Sequence, residues 1–158
     1  VGCEFGRELA MSALGSRAVQ VARTWIGTPY VHQASRRGAG TDCLGLLRGV
    51  WREIYGQEPE QVPAYSMDWS EVDGQEQLWQ AALRHLEPKK IECCAPGDIL
   101  LFRMRAGAVA KHLGIAANVE EAPSFIHAYS GHGVTESPLA GPWRRRIVAR
   151  FSFVAEER

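Results

Sequence analysis

Residues 40–47 read GTDCLGLL and place Cys43 where a glycine-rich loop turns into an apolar helix. Downstream of the cysteine, apolar residues recur at three- and four-residue steps, the period of a helix with one buried stripe. They are Leu44, Leu47, Val50, Trp51 and Ile54. The spacing predicts a helix over residues 42–55 that ends at Gly56.

The start of this helix suits a reactive thiol. Thr41 or Asp42 can cap the first turn, so Cys43 lies where unpaired backbone N–H groups and the helix dipole favour an anion. A free cysteine has a pKa of about 8.5, and a helix N-terminus or a neighbouring imidazolium lowers it to roughly 3.5 to 7.5. We therefore expect Cys43 to be a thiolate nucleophile. The alternative is a small buried residue packed against a sheet.

Length and composition describe one globular domain. The chain has 158 residues, 46% hydrophobic and 23% charged, which is enough to bury a core. Eighteen basic and eighteen acidic residues cancel, so no general field attracts the protein to nucleic acid or to an anionic membrane. No apolar run approaches the roughly 20 residues of a membrane span, and the opening residues lack a signal-peptide core. We expect a protein made in the cytoplasm.

Along the chain, helical patterns come first and strand patterns follow. Residues 1–12 show no period and are expected to form an irregular extension before a single domain over 13–158. An amphipathic helix is predicted over 16–26, and a helical insertion or lid over 57–94 contains a second helical pattern at 69–86. Short apolar or alternating segments then predict strands at 98–104, 111–117, 124–129, 133–137 and 146–153. This order predicts an α+β fold with helices packed on an antiparallel sheet.

Two histidines are expected to share one face of that sheet. Because side chains of a strand alternate between its two faces, His112 lies on the face opposite the apolar side chains of its strand. His127 lies opposite the apolar side chains of its own strand for the same reason. If the two strands are antiparallel neighbours, both imidazoles can lie beside Cys43. Such a set is an activated nucleophile: one histidine takes the thiol proton and later protonates the leaving amine, while a third polar group orients that histidine.

A metal site is the alternative interpretation of the same cysteine and histidines. A zinc site on Cys43, His112 and His127 would need a fourth ligand from His132 or water. His132 is otherwise read as a loop residue in a glycine-rich turn. The cysteines have the spacing of neither a disulfide framework nor a zinc knuckle, so we expect reduced thiols and neither metal nor cofactor: Cys3, Cys43, Cys93 and Cys94.

Five short motifs, in order along the chain, resemble the NlpC/P60 cysteine peptidases: WIGTPY at 25–30, DCLG at 42–45, PGDILLF at 96–102, HLGI at 112–115 and IHA at 126–128. Three segments resemble the branch found in phages and gene transfer agents as tail-associated cell-wall peptidases: 32–35, 102–105 and 127–134. The resemblance covers about residues 16–153. It implies a papain-like core and hydrolysis of peptide bonds in peptidoglycan, often the bond between D-γ-glutamate and diaminopimelate.

The resemblance also implies roles for individual residues. Tyr30 matches the tyrosine that helps the backbone N–H of the nucleophile form an oxyanion hole. Asp42 matches the acidic neighbour of the nucleophile, which lies near substrate in relatives. Leu44 stands where most relatives have serine, which puts the substrate contacts of that serine in doubt. The triad assignment is Cys43 as nucleophile, His112 as general base and acid, and His127 as the orienting member.

The same resemblance implies a peptidoglycan stem peptide as substrate and phage-like tail proteins as partners, without direct contact to nucleic acid or membrane. A wall hydrolase made without a signal peptide needs a carrier, so we expect it in a phage-like particle that acts in the periplasm or cell wall of the target cell. The insertion at 57–94 and the run Arg144–Arg146 are candidate docking surfaces, although such a run is otherwise a solvated edge. Two alternatives remain: a structural tail-tip component with vestigial activity, and an amidase or acyltransferase that uses the same residues.

Overall fold

The computed structural model describes residues 2–62 and 75–155, with the backbone alone for residues 2–8. It contains helices and strands in this order: α1 (Gly2–Arg23), β1 (Ser35–Arg36), β2 (Gly40–Thr41), α2 (Cys43–Tyr55), α3 (Gln77–His85), β3 (Glu87–Lys89), β4 (Ile99–Phe102), β5 (His112–Ala116), β6 (Ser124–Tyr129), β7 (Gly133–Pro138), α4 (Pro142–Arg145) and β8 (Ile147–Ser152). The predicted α+β class is confirmed, and each predicted strand segment overlaps an observed strand. Within the described residues, no helix has the length and apolar character to cross a membrane.

The main sheet has six strands in the order β3-β8-β4-β5-β6-β7, and every neighbouring pair is antiparallel. Ile115 of β5 pairs with Ile126 of β6, which confirms that these two strands are neighbours. Each face of the sheet buries its own apolar cluster. The cluster between the sheet and helices α1 and α2 includes Leu46 and Val50 of α2 with Leu113, Ile115 and Ile126 of the sheet. The cluster on the other face includes Leu100, Phe102, Ala116, Phe125 and Leu139.

Helix α2 has the limits that its local signals predict. It begins at Cys43, and the Asp42 side chain caps it by accepting a hydrogen bond from the Gly45 N–H at 2.7 Å. It ends at Gly56, whose φ of 86° is a left-handed conformation that glycine adopts without strain. A side-chain carbon at Gly49 would collide with the Trp25 ring, so the glycine lets α1 and its following turn pack closely on α2.

Helix α1 differs from the sequence expectation at both ends. The irregular extension expected over 1–12 is wrong, because one continuous helix runs from Gly2 to Arg23. This segment lacks an apolar stripe but contains good helix formers, including glutamate, arginine, leucine and alanine, so intrinsic propensity favours the helix without a visible period. At the other end, the helix expected over 16–26 stops at Arg23, and a turn follows in which Ile26 is exposed.

The insertion predicted over 57–94 is described in part. Helix α3 occupies Gln77–His85, and the earlier part of the predicted 69–86 helix, residues 69–74, lies outside the described residues. Strand β3 follows and pairs with β8 at the edge of the main sheet. The division of the chain into extension, domain and insertion otherwise stays a prediction.

A buried ion cluster ties this edge to the core. The Asp98 side chain is 2% exposed and accepts hydrogen bonds from Arg150 Nη1 at 2.8 Å and from Lys89 Nζ at 2.9 Å. Arg150, 3% exposed, also donates to the Ile91 carbonyl at 3.0 Å. Because desolvating a charge is expensive unless it is paired, the buried Asp98 and Arg150 each require the other.

Candidate active site

Cys43 is the first residue of α2 and faces the beginning of β5. Its Sγ lies 3.7 Å from the Lys111 carbonyl oxygen, to which the thiol donates. Residue 111 directly precedes β5, so the register of β5 places His112 next to the residue that the thiol contacts. The cysteine is half-buried and packs on the core cluster beneath α2.

The thiol is protonated in this structure, which corrects the expectation of a resting thiolate. Burial, and then the neighbouring Asp42 carboxylate, raise the pKa of Cys43 to about 12. The backbone N–H groups of Leu113, Leu44 and Cys43 itself act in the opposite direction and favour the anion. The helix N-terminus therefore acts to lower the pKa of Cys43, as predicted, but desolvation raises that pKa by more.

His112 and His127 form a hydrogen-bonded pair. Nε2 of His112 lies 2.9 Å from Nδ1 of His127, and the two rings meet edge to face with centroids 5.1 Å apart. The residues are 8% and 1% exposed and lie on the sheet face opposite Leu113 and Ile126. A side-chain carbon at Gly114 would lie 2.8 Å from Cδ2 of Phe125 and 3.3 Å from Cβ of His127, so glycine lets β5 and β6 pack closely beside the pair. The predicted adjacency of the two imidazoles is confirmed, while their catalytic roles stay a prediction.

Both imidazoles are neutral over the physiological range. Burial, and then the partner His127, lower the pKa of His112 to about 3. Burial, and then His132, lower the pKa of His127 to about 4. A neutral imidazole has a lone pair, which is the state that a general base needs.

Trp143 closes the histidine pair from the side of α4. Its indole lies 4.9 Å from the His127 ring and 5.5 Å from the His112 ring, measured between centroids. Sequence reasoning gave this residue no role, because a four-residue helix has no period that places a side chain. It also packs against the rings of Phe102, Phe125 and Tyr129.

Ser137 is a second residue that sequence reasoning missed. Its Oγ lies 2.9 Å from Nε2 of His127, the ring nitrogen that does not face His112. The signal that could have found it is the β6–β7 pairing, which sets Ser137 opposite Phe125, two residues before His127.

Tyr30 reaches the site from the loop before α2. It forms an isolated bridge with Thr41 and is half-buried on the core cluster that also contains Cys43. Burial first, and then Cys43 and Asp42, raise the pKa of Tyr30 to about 12. The hydroxyl therefore keeps its proton and can donate a hydrogen bond.

Asp42 is directed inward in this structure. Its side chain is 4% exposed; Oδ1 accepts from the Gly45 N–H, and Oδ2 accepts from the Gln33 N–H at 2.8 Å. Nδ1 of His32 lies 3.8 Å from Oδ2. The carboxylate thus caps α2 and holds the preceding loop, and its contact with substrate stays a prediction.

The NlpC/P60 family model matches residues 27–151, a span that includes every site residue described above. The chain belongs to the NlpC/P60 family. It is 31% identical over 130 residues to the gamma-DL-glutamyl hydrolase of Bacillus subtilis (strain 168). That match covers 82% of this chain and 27% of the hydrolase, so the chain spans about a quarter of that relative's length.

Solved structures of similar proteins share the fold. The NlpC/p60 domain of the peptidoglycan hydrolase SagA aligns with a TM-score of 0.59 at 22% identity, covering 88% of this chain and 98% of that domain. An N-acetylmuramoyl-L-alanine amidase from Bacteroides uniformis aligns with a TM-score of 0.55 at 13% identity, covering 91% and 100%. These alignments confirm the predicted NlpC/P60 fold.

The other residues considered from the sequence lie around this NlpC/P60 site. His132 stacks on Tyr129 with 5.3 Å between centroids and 5° between ring planes. Leu44 lines a mostly apolar cavity of about 530 Å³ between α2 and α3, on the side of α2 that faces the insertion. Within residues 2–62 and 75–155, no group of three or more His, Cys, Asp or Glu side chains is arranged to hold a metal ion.

Proposed function

We propose that this NlpC/P60 domain is a cysteine peptidase that hydrolyses peptide bonds of bacterial peptidoglycan, with the D-γ-glutamyl-diaminopimelate bond as its target. The observation that carries the proposal is the neutral, buried His112–His127 pair next to the residue that the Cys43 thiol contacts. A protonated thiol needs a base with a free lone pair, and His112 is a neutral imidazole with Nε2 already engaged. Its Nδ1 is the nitrogen that takes the thiol proton.

In the proposed reaction, Cys43 Sγ attacks the scissile carbonyl carbon as its proton moves to His112 Nδ1. The Tyr30 hydroxyl and the Cys43 backbone N–H donate to the oxyanion that forms. His112 then gives the proton to the leaving amine, and the C–N bond breaks to leave a thioester. A water molecule, deprotonated by His112, hydrolyses the thioester and returns the thiol.

The substrate class rests on the relatives. The Bacillus subtilis relative is named as a gamma-DL-glutamyl hydrolase, and the SagA domain belongs to a peptidoglycan hydrolase. A γ-glutamyl bond within a peptidoglycan stem peptide has the features that both names describe. Leu44, next to the nucleophile, lines a mostly apolar cavity at the position where the resemblance implies a serine in most relatives, so we propose that the substrate contacts beside Cys43 are apolar.

We propose further that the domain is carried in a phage-like tail and opens the wall of the target cell for DNA entry. The support is the resemblance of residues 32–35, 102–105 and 127–134 to tail-associated peptidases. The zero net charge gives no general attraction to the anionic wall, which favours delivery by a partner. Exposed Arg144 and Arg145 and the edge strand β3 are candidate contacts for tail proteins.

Mass spectrometry of muropeptides after incubation with the protein tests the chemistry. We expect fragments split between D-γ-glutamate and diaminopimelate, and none with Cys43→Ala. Release of whole stem peptides from muramic acid would show that the protein is an amidase and not a peptidase. Intact muropeptides with the wild-type protein would favour a structural tail component.

Detection of the protein in purified particles tests the delivery. Particles that carry Cys43→Ala should assemble normally and fail to deliver DNA. A protein found only free in the producing cell would refute the tail location and favour a lysis or recycling role.

A further inference from the structure

Ser137 stands at the outer end of the histidine pair. Its Oγ lies 2.9 Å from His127 Nε2, and His127 Nδ1 lies 2.9 Å from His112 Nε2. A hydroxyl and two imidazoles thus form one hydrogen-bonded chain, and its inner member, His112, directly follows Lys111, whose carbonyl the Cys43 thiol contacts. We propose that Ser137 is a positioning residue that sets the tautomers of both histidines; this inference rests on the proposed function.

The strand register makes the contact specific. Thr135 lies directly opposite His127 across the β6–β7 pair, and Ser137 lies opposite Phe125. The His127 imidazole leans diagonally and bonds to Ser137 instead of to its direct neighbour. Diagonal neighbours on one face of an antiparallel pair are within reach of long side chains. Thr135 therefore supplies a matched control hydroxyl on the same face of the same strand.

The chain has two proton arrangements when both histidines are neutral. In the first, Ser137 Oγ accepts from the His127 Nε2–H, His127 Nδ1 accepts from the His112 Nε2–H, and His112 Nδ1 keeps its lone pair. In the second, the serine donates, both histidines carry hydrogen on Nδ1, and His112 cannot take the thiol proton. Only the first arrangement activates Cys43.

Ser137 favours the productive arrangement because it is half-buried and can donate its own hydrogen outward to water. Its oxygen lone pairs then remain for His127. Alanine at this position would leave the Nε2–H of His127, a residue 1% exposed, without its acceptor. Leaving a buried donor unsatisfied is costly, so the tautomers would shift toward the unproductive arrangement.

Alkylation of Cys43 by iodoacetamide, followed from pH 5 to 10 on the Cys43 peptide by mass spectrometry, tests this inference without any wall substrate. We expect Ser137→Ala to slow Cys43 alkylation at pH 7 about five- to tenfold, the effect of one hydrogen bond, and to move the profile to higher pH. Ser137→Thr, which keeps the hydroxyl, and Thr135→Val should stay within about twofold of wild type. Cys93 is exposed, so its alkylation rate in each variant is the internal control for changes in reagent activity or in folding.

Muropeptide cleavage by the same variants gives the second measurement. We expect kcat of Ser137→Ala to fall by the same factor with KM unchanged, because the serine acts through His127. An alkylation profile of Ser137→Ala that coincides with wild type would overturn the role of Ser137 even if the wall is cleaved. A shifted profile in a protein that cleaves no muropeptide would sustain the role of Ser137 and refute the proposed hydrolase.

Discussion

The indole of Trp143 stands edge-on to the imidazole of His127, with 4.9 Å between ring centroids and 80° between ring planes. The same indole lies 5.5 Å from His112, so one side chain covers both members of the pair. Burial is the largest cause of the low pKa of each histidine. A residue of the last short helix therefore helps to determine the protonation state of groups on β5 and β6.

Trp143→Ala should raise the pKa of His127 from about 4 toward the ordinary value of about 6.5, because water then reaches the imidazole. Titration of the imidazole proton resonances by NMR measures the change. Trp79→Ala, in α3, removes a tryptophan away from the pair and serves as the control. An unchanged His127 titration in Trp143→Ala would contradict the shielding role of the indole.

The free energy of unfolding should fall as the pH drops from about 6.5 to 4. The two histidines bind protons near pH 6.5 in the unfolded chain but only near pH 3 and 4 in the folded one, so acid favours unfolding in this window. The loss approaches about 1.4 kcal/mol per pH unit for each histidine. Urea unfolding at several pH values measures it. In the double variant His112→Gln, His127→Gln, the free energy of unfolding should depend less steeply on pH. Equal slopes in the variant and the wild type would show that the two histidines do not cause the loss.

His112→Ala should reduce muropeptide hydrolysis nearly as much as Cys43→Ala, because it removes both the base and the acid of the proposed reaction. His127→Gln should be milder, since an amide can still orient His112 by a hydrogen bond. The rate constants kcat of the three variants, with unfolding midpoints as a check of the fold, measure this order. Wild-type kcat in His112→Ala would show that another group is the base.

Tyr30→Phe should lower kcat by about 100-fold or more, since loss of one oxyanion donor typically has that effect. Removing only the hydroxyl keeps the ring that packs on the core cluster, so stability should change little. Steady-state kinetics on a stem peptide measure the effect. An effect confined to KM would assign Tyr30 to substrate binding instead.

Asp98→Asn should lower the free energy of unfolding by about 3 to 5 kcal/mol, because it leaves the buried Arg150 without its counter-charge. Glu60→Gln is the matched control, since its pair with Arg84 has side chains 41% and 53% exposed and should contribute less than about 1 kcal/mol. Urea unfolding of both variants gives the comparison. An equal loss of unfolding free energy in the two variants would show that burial does not make the Asp98 ion pairs more stabilising than the exposed pair.

The sequence by itself determined the features that depend on neighbours along the chain. Helix α2 has its predicted limits because Asp42 caps the first turn and Gly56 closes the last, and both signals are local. The alternation around His112 and His127 placed both imidazoles on one face of the sheet, since side chains of a strand alternate between faces. The spaced motifs identified the NlpC/P60 family.

Only the tertiary structure decided the features that depend on distant segments. The helix N-terminus predicted a thiolate at Cys43, but burial by the surrounding chain keeps the thiol protonated. Trp143 and Ser137 reach the histidines through the packing of α4 and the register of β7, which no local period records. Desolvation and long-range contacts are set by how the whole chain packs, so they cannot be obtained from residue types and spacing alone.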